Sequence, residues 1–111
     1  MSWWTFSDFT YLDAQEFDVE RIRPDIESMV IAGRYHLDVA KDICNLLAKK
    51  QTDFKLNSFA VIQLLSELAR KFPAFSFSIR GRGEEMRDIW VREFSDGKET
   101  FAFGPPEGVG Y

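Results

Sequence analysis

The chain is poor in the residues that carry covalent and metal chemistry. Its 111 residues include one cysteine, Cys44, and one histidine, His36. A lone cysteine excludes an intrachain disulfide and suits a reducing compartment, so a cytoplasmic location is expected. Nucleophilic catalysis needs a nucleophile and a base within hydrogen-bond reach. Cys44 sits beside Ile43 on what reads as the apolar face of a helix, where a small buried side chain is usual. His36 falls in the connector before that helix, so no catalytic residue is assigned and the chain reads as a non-enzyme. One Cys and one His cannot make a zinc site without several carboxylates, and the acidic segment lacks the ligand spacing of a calcium loop. No metal and no cofactor are expected. No stretch approaches the roughly 18 apolar residues of a spanning helix. The opening MSWWTF has no basic region of the kind that begins a signal peptide, so no membrane association is expected.

Positive charge is missing from the front. Residues 1–20 hold Asp8, Asp13, Glu16, Asp18 and Glu20 and no Lys or Arg. The rest of the chain is close to neutral, so the net charge of −4 arises at this end. A compact negative region repels nucleic acid and attracts basic proteins. It also has a plainer reading, as solubility.

What the chain does have is apolar mass. Hydrophobic residues make up 45% of it, with eleven Phe, a globular rather than a disordered composition. Each fully buried Phe contributes about 1.5–3 kcal/mol, so a single domain of this length needs neither disulfide nor metal to hold its core.

The stretch 74–104 organises the rest. Phe75, Phe77 and Ile79 alternate with Ser76, Ser78 and Arg80, the period of a half-buried strand. Ile89 and Val91 alternate with Trp90, Arg92 and Phe94, and Ser95-Asp96-Gly97-Lys98 supplies a hairpin turn before Phe101 and Phe103. Three strands over 74–80, 86–94 and 98–103 follow, as an antiparallel meander. Upstream, Pro24 suits the first turn of a helix over 24–33 that stops near Gly33. Asp38 is a candidate N-cap for a helix over 38–50. Asn57 or Ser58 opens a helix over 58–72, whose stripe is Val61, Leu64, Leu65, Leu68, Ala69 and Phe72. On its outer side Glu67 can pair with Lys71. Pro73 ends it. Residues 51–56 read as a connector. The aromatic segment before Leu12 is extended and a candidate edge strand, and 104–111 read as a flexible tail.

The expected fold is therefore α+β, one domain over 1–111. About three helices pack on one face of a three- to four-stranded antiparallel sheet. The expected core includes Phe59, Ile62, Leu65, Leu68, Phe72, Phe75, Phe77, Ile79, Ile89, Val91 and Phe101.

Two further patterns are weighed. Arg80-Gly-Arg-Gly-Glu-Glu could let the backbone approach a phosphate, but Glu84 and Glu85 oppose an anion, and a glycine-bearing loop between strands explains it as well. Arg80, Arg87, Arg92 and Trp90 could offer charge and stacking to single-stranded RNA. Asp88, Glu93 and Glu99 interleave with them, and the chain lacks a basic footprint, so no nucleic-acid partner is expected.

This profile resembles the immunity proteins of bacterial toxin–immunity systems, including those of contact-dependent growth inhibition. The likeness rests on small size, acidity and a helix-then-meander layout with a Gly-x-Gly-Glu-Glu loop and a Trp-Val-Arg-Glu-Phe strand. It implies a cytoplasmic inhibitor that binds a cognate toxin domain, a basic protein and commonly a nuclease, by imitating phosphate charge. Charge and exposure, not a family motif, then select the contact residues. Asp8, Asp13, Glu16, Asp18 and Glu20 form one acidic face, Glu84 and Glu85 a second patch, and Trp3, Trp4 and Trp90 the aromatic anchors. An adaptor or regulatory subunit would show the same features. A small hydrolase or an RNA-binding domain is the third alternative, and the oligomeric state is open.

Overall fold

The computed structural model describes residues 4–83 and 88–104. Five strands and three helices follow one another as β1 (Thr5–Tyr11), α1 (Val19–Ala32), α2 (Asp38–Lys49), β2 (Gln51–Phe54), α3 (Ser58–Lys71), β3 (Phe77–Arg82), β4 (Ile89–Ser95) and β5 (Lys98–Phe103). The strands form one antiparallel sheet in the order β2-β1-β3-β4-β5. The fold is α+β as expected, with one strand more than the meander and N-terminal segment supply. The addition is β2, read from sequence as connector. The aromatic segment is not an edge: β1 lies between β2 and β3.

The helices cover one face. α2 packs on β1 and β2, α3 packs on β4 and β5, and α1 rests against both helices. Each helix owes its place to an apolar stripe. Val61, Ile62, Leu64, Leu65, Leu68 and Ala69 are buried from α3, and Val39, Ala40, Ile43, Cys44, Leu46 and Leu47 from α2. Asn57 caps α3 by accepting from the Ala60 amide at 2.9 Å. Its outer ion pair is Glu67–Arg70 at 2.7 Å, not Glu67–Lys71. At the head of α2, Asp38 is the first helical residue, and the His36 Nδ1 accepts from its amide at 3.1 Å.

α1 starts five residues before its expected Pro24. Asp18 is the N-cap, Glu20 pairs with Arg23 at 2.7 Å, and Pro24 lies inside the helix. An internal proline removes a backbone hydrogen bond and costs about 3 kcal/mol relative to alanine. Burial of Ile22, Ile26, Met29 and Val30 on one side offsets that, at roughly 1.5–3 kcal/mol for each large side chain.

The register decides which residues are core. Facing the helices are Thr5, Ser7 and Phe9 of β1, Phe77, Ile79 and Gly81 of β3, and Trp90, Arg92 and Phe94 of β4. This corrects the expected parity of β4. Ile89 and Phe101 are each 49% exposed, Phe59 is 48% exposed and Val91 is only half-buried, while Trp90 is 0% exposed. Both parities of Ile-Trp-Val-Arg-Glu-Phe carry apolar residues, so alternation alone cannot choose between them. Gly81 stands opposite Trp90 in the sheet, and a methyl group there would overlap the indole. That notch, with the Phe94 ring 5.2 Å from Phe77, selects the Trp90–Phe94 face for the interior.

The inward parity also buries Arg92. Its guanidinium donates to the carbonyls of Val91 and Phe103 at 2.9 Å and of Gly104 at 3.1 Å, and its Nε lies 3.3 Å from Glu99. A buried charge is tolerated only with this kind of hydrogen-bonded pairing. At the β4–β5 turn, Asp96 and Gly97 both take positive φ, 53° and 76°, the type I′ geometry that Asp-Gly predicts.

Candidate functional site

Of the acids singled out in the sequence, four travel together. Asp13, Glu16, Asp18 and Glu20 lie exposed along the path from β1 into α1. Phe17 fixes that path. Its ring is buried and stacks on Phe75 at 4.1 Å, with Tyr11, Phe72 and Phe77 around it. The Tyr11 hydroxyl accepts from the Phe17 amide at 3.2 Å and donates to the Leu47 carbonyl at 3.4 Å. Burial raises the Tyr11 pKa, the bond from Phe17 lowers it, and nearby Glu16 raises it.

Each of the four carboxylates has a local contact. Asp13 accepts from the Gln15 amide at 2.9 Å, Glu16 meets Lys50 at 3.4 Å, Asp18 caps α1, and Glu20 holds Arg23. The Glu20 carboxyl is held below its usual value by the Arg23 hydrogen bond and charge. These contacts are at the surface, so each is worth little in stability, and the carboxylates remain accessible.

Asp8 does not join them. It lies on β1 opposite Arg80 of β3 and Gln51 of β2, on the face that no helix among the described residues covers. Asp8 therefore stands on the strand and the other four on the segment that leaves it, with Lys50 bordering both: it lines one depression with Asp8 and meets Glu16. Trp90 is fully buried, so it can be neither a partner anchor nor a stacking platform for RNA. Trp4 is 42% exposed, with the Lys55 ammonium 5.3 Å from its ring. Trp3, Glu84 and Glu85 lie outside the described residues.

Three features escaped the sequence reading. One is a second acidic grouping, in which Asp38 and Asp53 act on Asp42. Burial first, then Asp38, holds the Asp42 carboxyl above its usual range, with Lys55 and Lys41 in partial opposition. Asp38 and Asp42 stand one helical turn apart on α2, but the part played by Asp53 depends on the packing of α2 beside β2. Another is the open face of the sheet, where Phe6, Arg80, Arg82, Ile89, Phe101 and Phe103 gather. The Arg82 guanidinium lies 5.8 Å from the Phe6 ring centroid. The third is a groove of about 300 Å³ between α3 and β5, with Phe59, Arg70, Arg92 and Glu99 in its walls.

The glycines of Arg80-Gly-Arg-Gly are not a phosphate loop. Gly81 is within β3, where it admits Trp90, and a methyl group on Gly83 would overlap the Asp88 carboxylate. That carboxylate is buried and accepts from Ser58 Oγ at 2.8 Å. Cys44 is buried, and burial pushes its thiol up despite Arg23 nearby. His36 is exposed, with its Nδ1 turned to Asp38. Among the described residues, no group of three or more His, Cys, Asp or Glu side chains is placed to hold a metal ion. No helix among them is long and apolar enough to cross a membrane. No family model, no curated protein and no solved structure matches the chain.

Proposed function

We propose that this protein is a non-enzymatic immunity protein, which binds a cognate bacterial toxin and neutralises it. The observation that carries the reading is the accessible run Asp13, Glu16, Asp18 and Glu20, held in one place by the buried Phe17. A nuclease must present positive charge to phosphates. Four carboxylates on an anchored segment imitate such a row, and fixing them beforehand lowers the ordering cost of binding. The toxin domain is accordingly a basic nuclease, met in the cytoplasm. Among the described residues, Trp4, half-exposed on the same chain end, is the remaining aromatic candidate.

Affinity capture from the native host, at low and at high salt, tests the reading. One stoichiometric basic polypeptide should be retained at low salt, and its expression alone should stop growth. Co-expression of this protein should restore growth. The triple variant Asp13→Lys, Glu16→Lys, Glu20→Lys leaves the Asp18 cap in place. It should weaken capture by at least roughly tenfold and remove most of the salt dependence. Full growth protection by the triple variant would exclude the acidic run as the contact.

A further inference from the structure

We propose that the open face of the sheet is a self-association surface, and that its occupant is a second copy of this chain related by a two-fold axis. This goes beyond the toxin reading and uses residues of β3, β4 and β5, none of them in the acidic run.

The face divides into an apolar half and a charged ridge. β4 and β5 present Ile89, Val91, Phe101 and Phe103, and Phe103 is 62% exposed. Beside them β3 presents Arg80 and Arg82, and β4 presents Glu93. Apolar patches of this kind on a folded surface mark contact sites. Among the described residues no ion pair engages Arg80, Arg82 or Glu93. Both signs of charge are thus present, and Arg82 already lies near an aromatic ring, that of Phe6.

Their positions are self-complementary. Along the sheet, Phe6, Arg82 and Ile89 form one cross-strand row, Asp8, Arg80, Val91 and Phe103 the next, and Thr10, Ser78, Glu93 and Phe101 the third. Strands lie about 4.8 Å apart, and residues of one face repeat about every 6.8 Å along a strand. Arg80 and Glu93 are therefore diagonal neighbours, one strand and one row apart. Consider a two-fold axis between two facing sheets that bisects this diagonal at right angles. It sets Arg80 against Glu93 of the second copy, and Glu93 against the second copy's Arg80. On the same grid it returns Phe103 to the neighbourhood of Phe103 of the second copy. Val91 falls beside Val91, and Arg82 lies over Phe101 of the second copy. One operation pairs the charges twice, adds a cation–π contact on each side and buries the apolar half, as an isologous interface requires.

The edge of β5 is a poorer candidate than its face. Glu93 pairs with Phe101 and Phe94 with Glu99, so Thr100 is an extra residue in β5. A bulge of this kind blunts an edge against strand addition.

Sedimentation velocity of the full chain from about 1 µM to about 1 mM tests the proposal, a range that brackets the affinity of a modest interface. A reversible monomer–dimer equilibrium is expected. Arg80→Glu and Glu93→Arg should each weaken dimerisation at least roughly tenfold, and the double exchange should recover most of the loss. Phe103→Ser should weaken it by a similar factor without changing the far-ultraviolet circular dichroism. Asp25→Lys, exposed on α1 in the helix layer, should leave it unchanged. A monomer across the whole range would overturn the proposal. So would a dimer indifferent to Arg80→Glu and Phe103→Ser, or a double exchange that recovers nothing.

Discussion

The two faces of one sheet carry similar apolar residues and have opposite fates. Inside lie Phe9, Phe77, Ile79, Trp90 and Phe94, each 3% exposed or less. Outside lie Phe6, Ile89, Val91, Phe101 and Phe103, none of them fully buried. Hydrophobicity does not separate the sets, since an isoleucine and phenylalanines stand in both, and the inner set even carries an arginine. Shape separates them, and hydrogen-bonded pairing is what admits the arginine. Trp90 has the notch at Gly81, and Arg92 has three carbonyls and a carboxylate within reach. No helix among the described residues lies above the outer set.

The most severe way to break this contrast is to empty the inner face. Trp90→Ala removes a fully buried indole and leaves a cavity beneath α3, and should cost about 3–5 kcal/mol in chemical unfolding. Ile89→Ala, one residue earlier and half-exposed, should cost about 1 kcal/mol or less. A larger loss for Ile89→Ala than for Trp90→Ala would mean that β4 presents the other parity in solution. Gly81→Ala attacks the same contact from β3, by overpacking, and should cost about 1–3 kcal/mol.

A smaller effect is expected where the contrast concerns charge. Arg92→Met keeps the volume, but strips donors from the carbonyls of Val91, Phe103 and Gly104 and leaves Glu99 without its partner. The expected loss is about 2–3 kcal/mol. Arg80→Met on the open face should change stability by no more than about 0.5 kcal/mol. Denaturant midpoints of the two variants give the comparison directly.

Much of the frame was legible in the sequence, for reasons that can be named. α3 announces itself by its spacing and by Asn57, and the β4–β5 turn by Asp-Gly. Both signals are local, so tertiary packing had nothing to overrule. β2 escaped because Gln-Thr-Asp-Phe spans four residues with one apolar side chain, and its strand character comes from pairing with β1. The start of α1 was misplaced because proline usually favours a first turn, whereas burial of Ile22 and Ile26 extends this helix on both sides of Pro24. The parity of β4 depended on a glycine in a different strand. For the same reason the acidic candidates were only half readable. A run in sequence was visible, but the crossing from sheet to helix layer after Tyr11 separates Asp8 from the other four. Phe17, which anchors those four, is one phenylalanine among eleven, and no local pattern in the sequence marks it as buried.

The least effect belongs to a charge at the margin between layers, and its sign is the informative part. Arg92 is buried with partners, whereas Asp42 on α2 is partly buried and crowded by Asp38 and Asp53. Its carboxyl is therefore raised relative to the unfolded chain. A raised carboxyl is ionised at neutral pH at some cost to folding. That cost is fully present above the folded pKa. It disappears as pH falls through the folded pKa and then below the unfolded value of about 3.9. Asp42→Asn should thus stabilise the protein at pH 7, by no more than about 0.5 kcal/mol after solvent screening, and the gain should vanish below about pH 4. Thermal midpoints of both proteins at pH 7 and pH 3.5 measure it. A gain that persists in acid would show that the relief comes from helix propensity or desolvation of the neutral side chain. A loss at pH 7 would mean that the Lys41 and Lys55 charges outweigh burial and the two neighbouring acids.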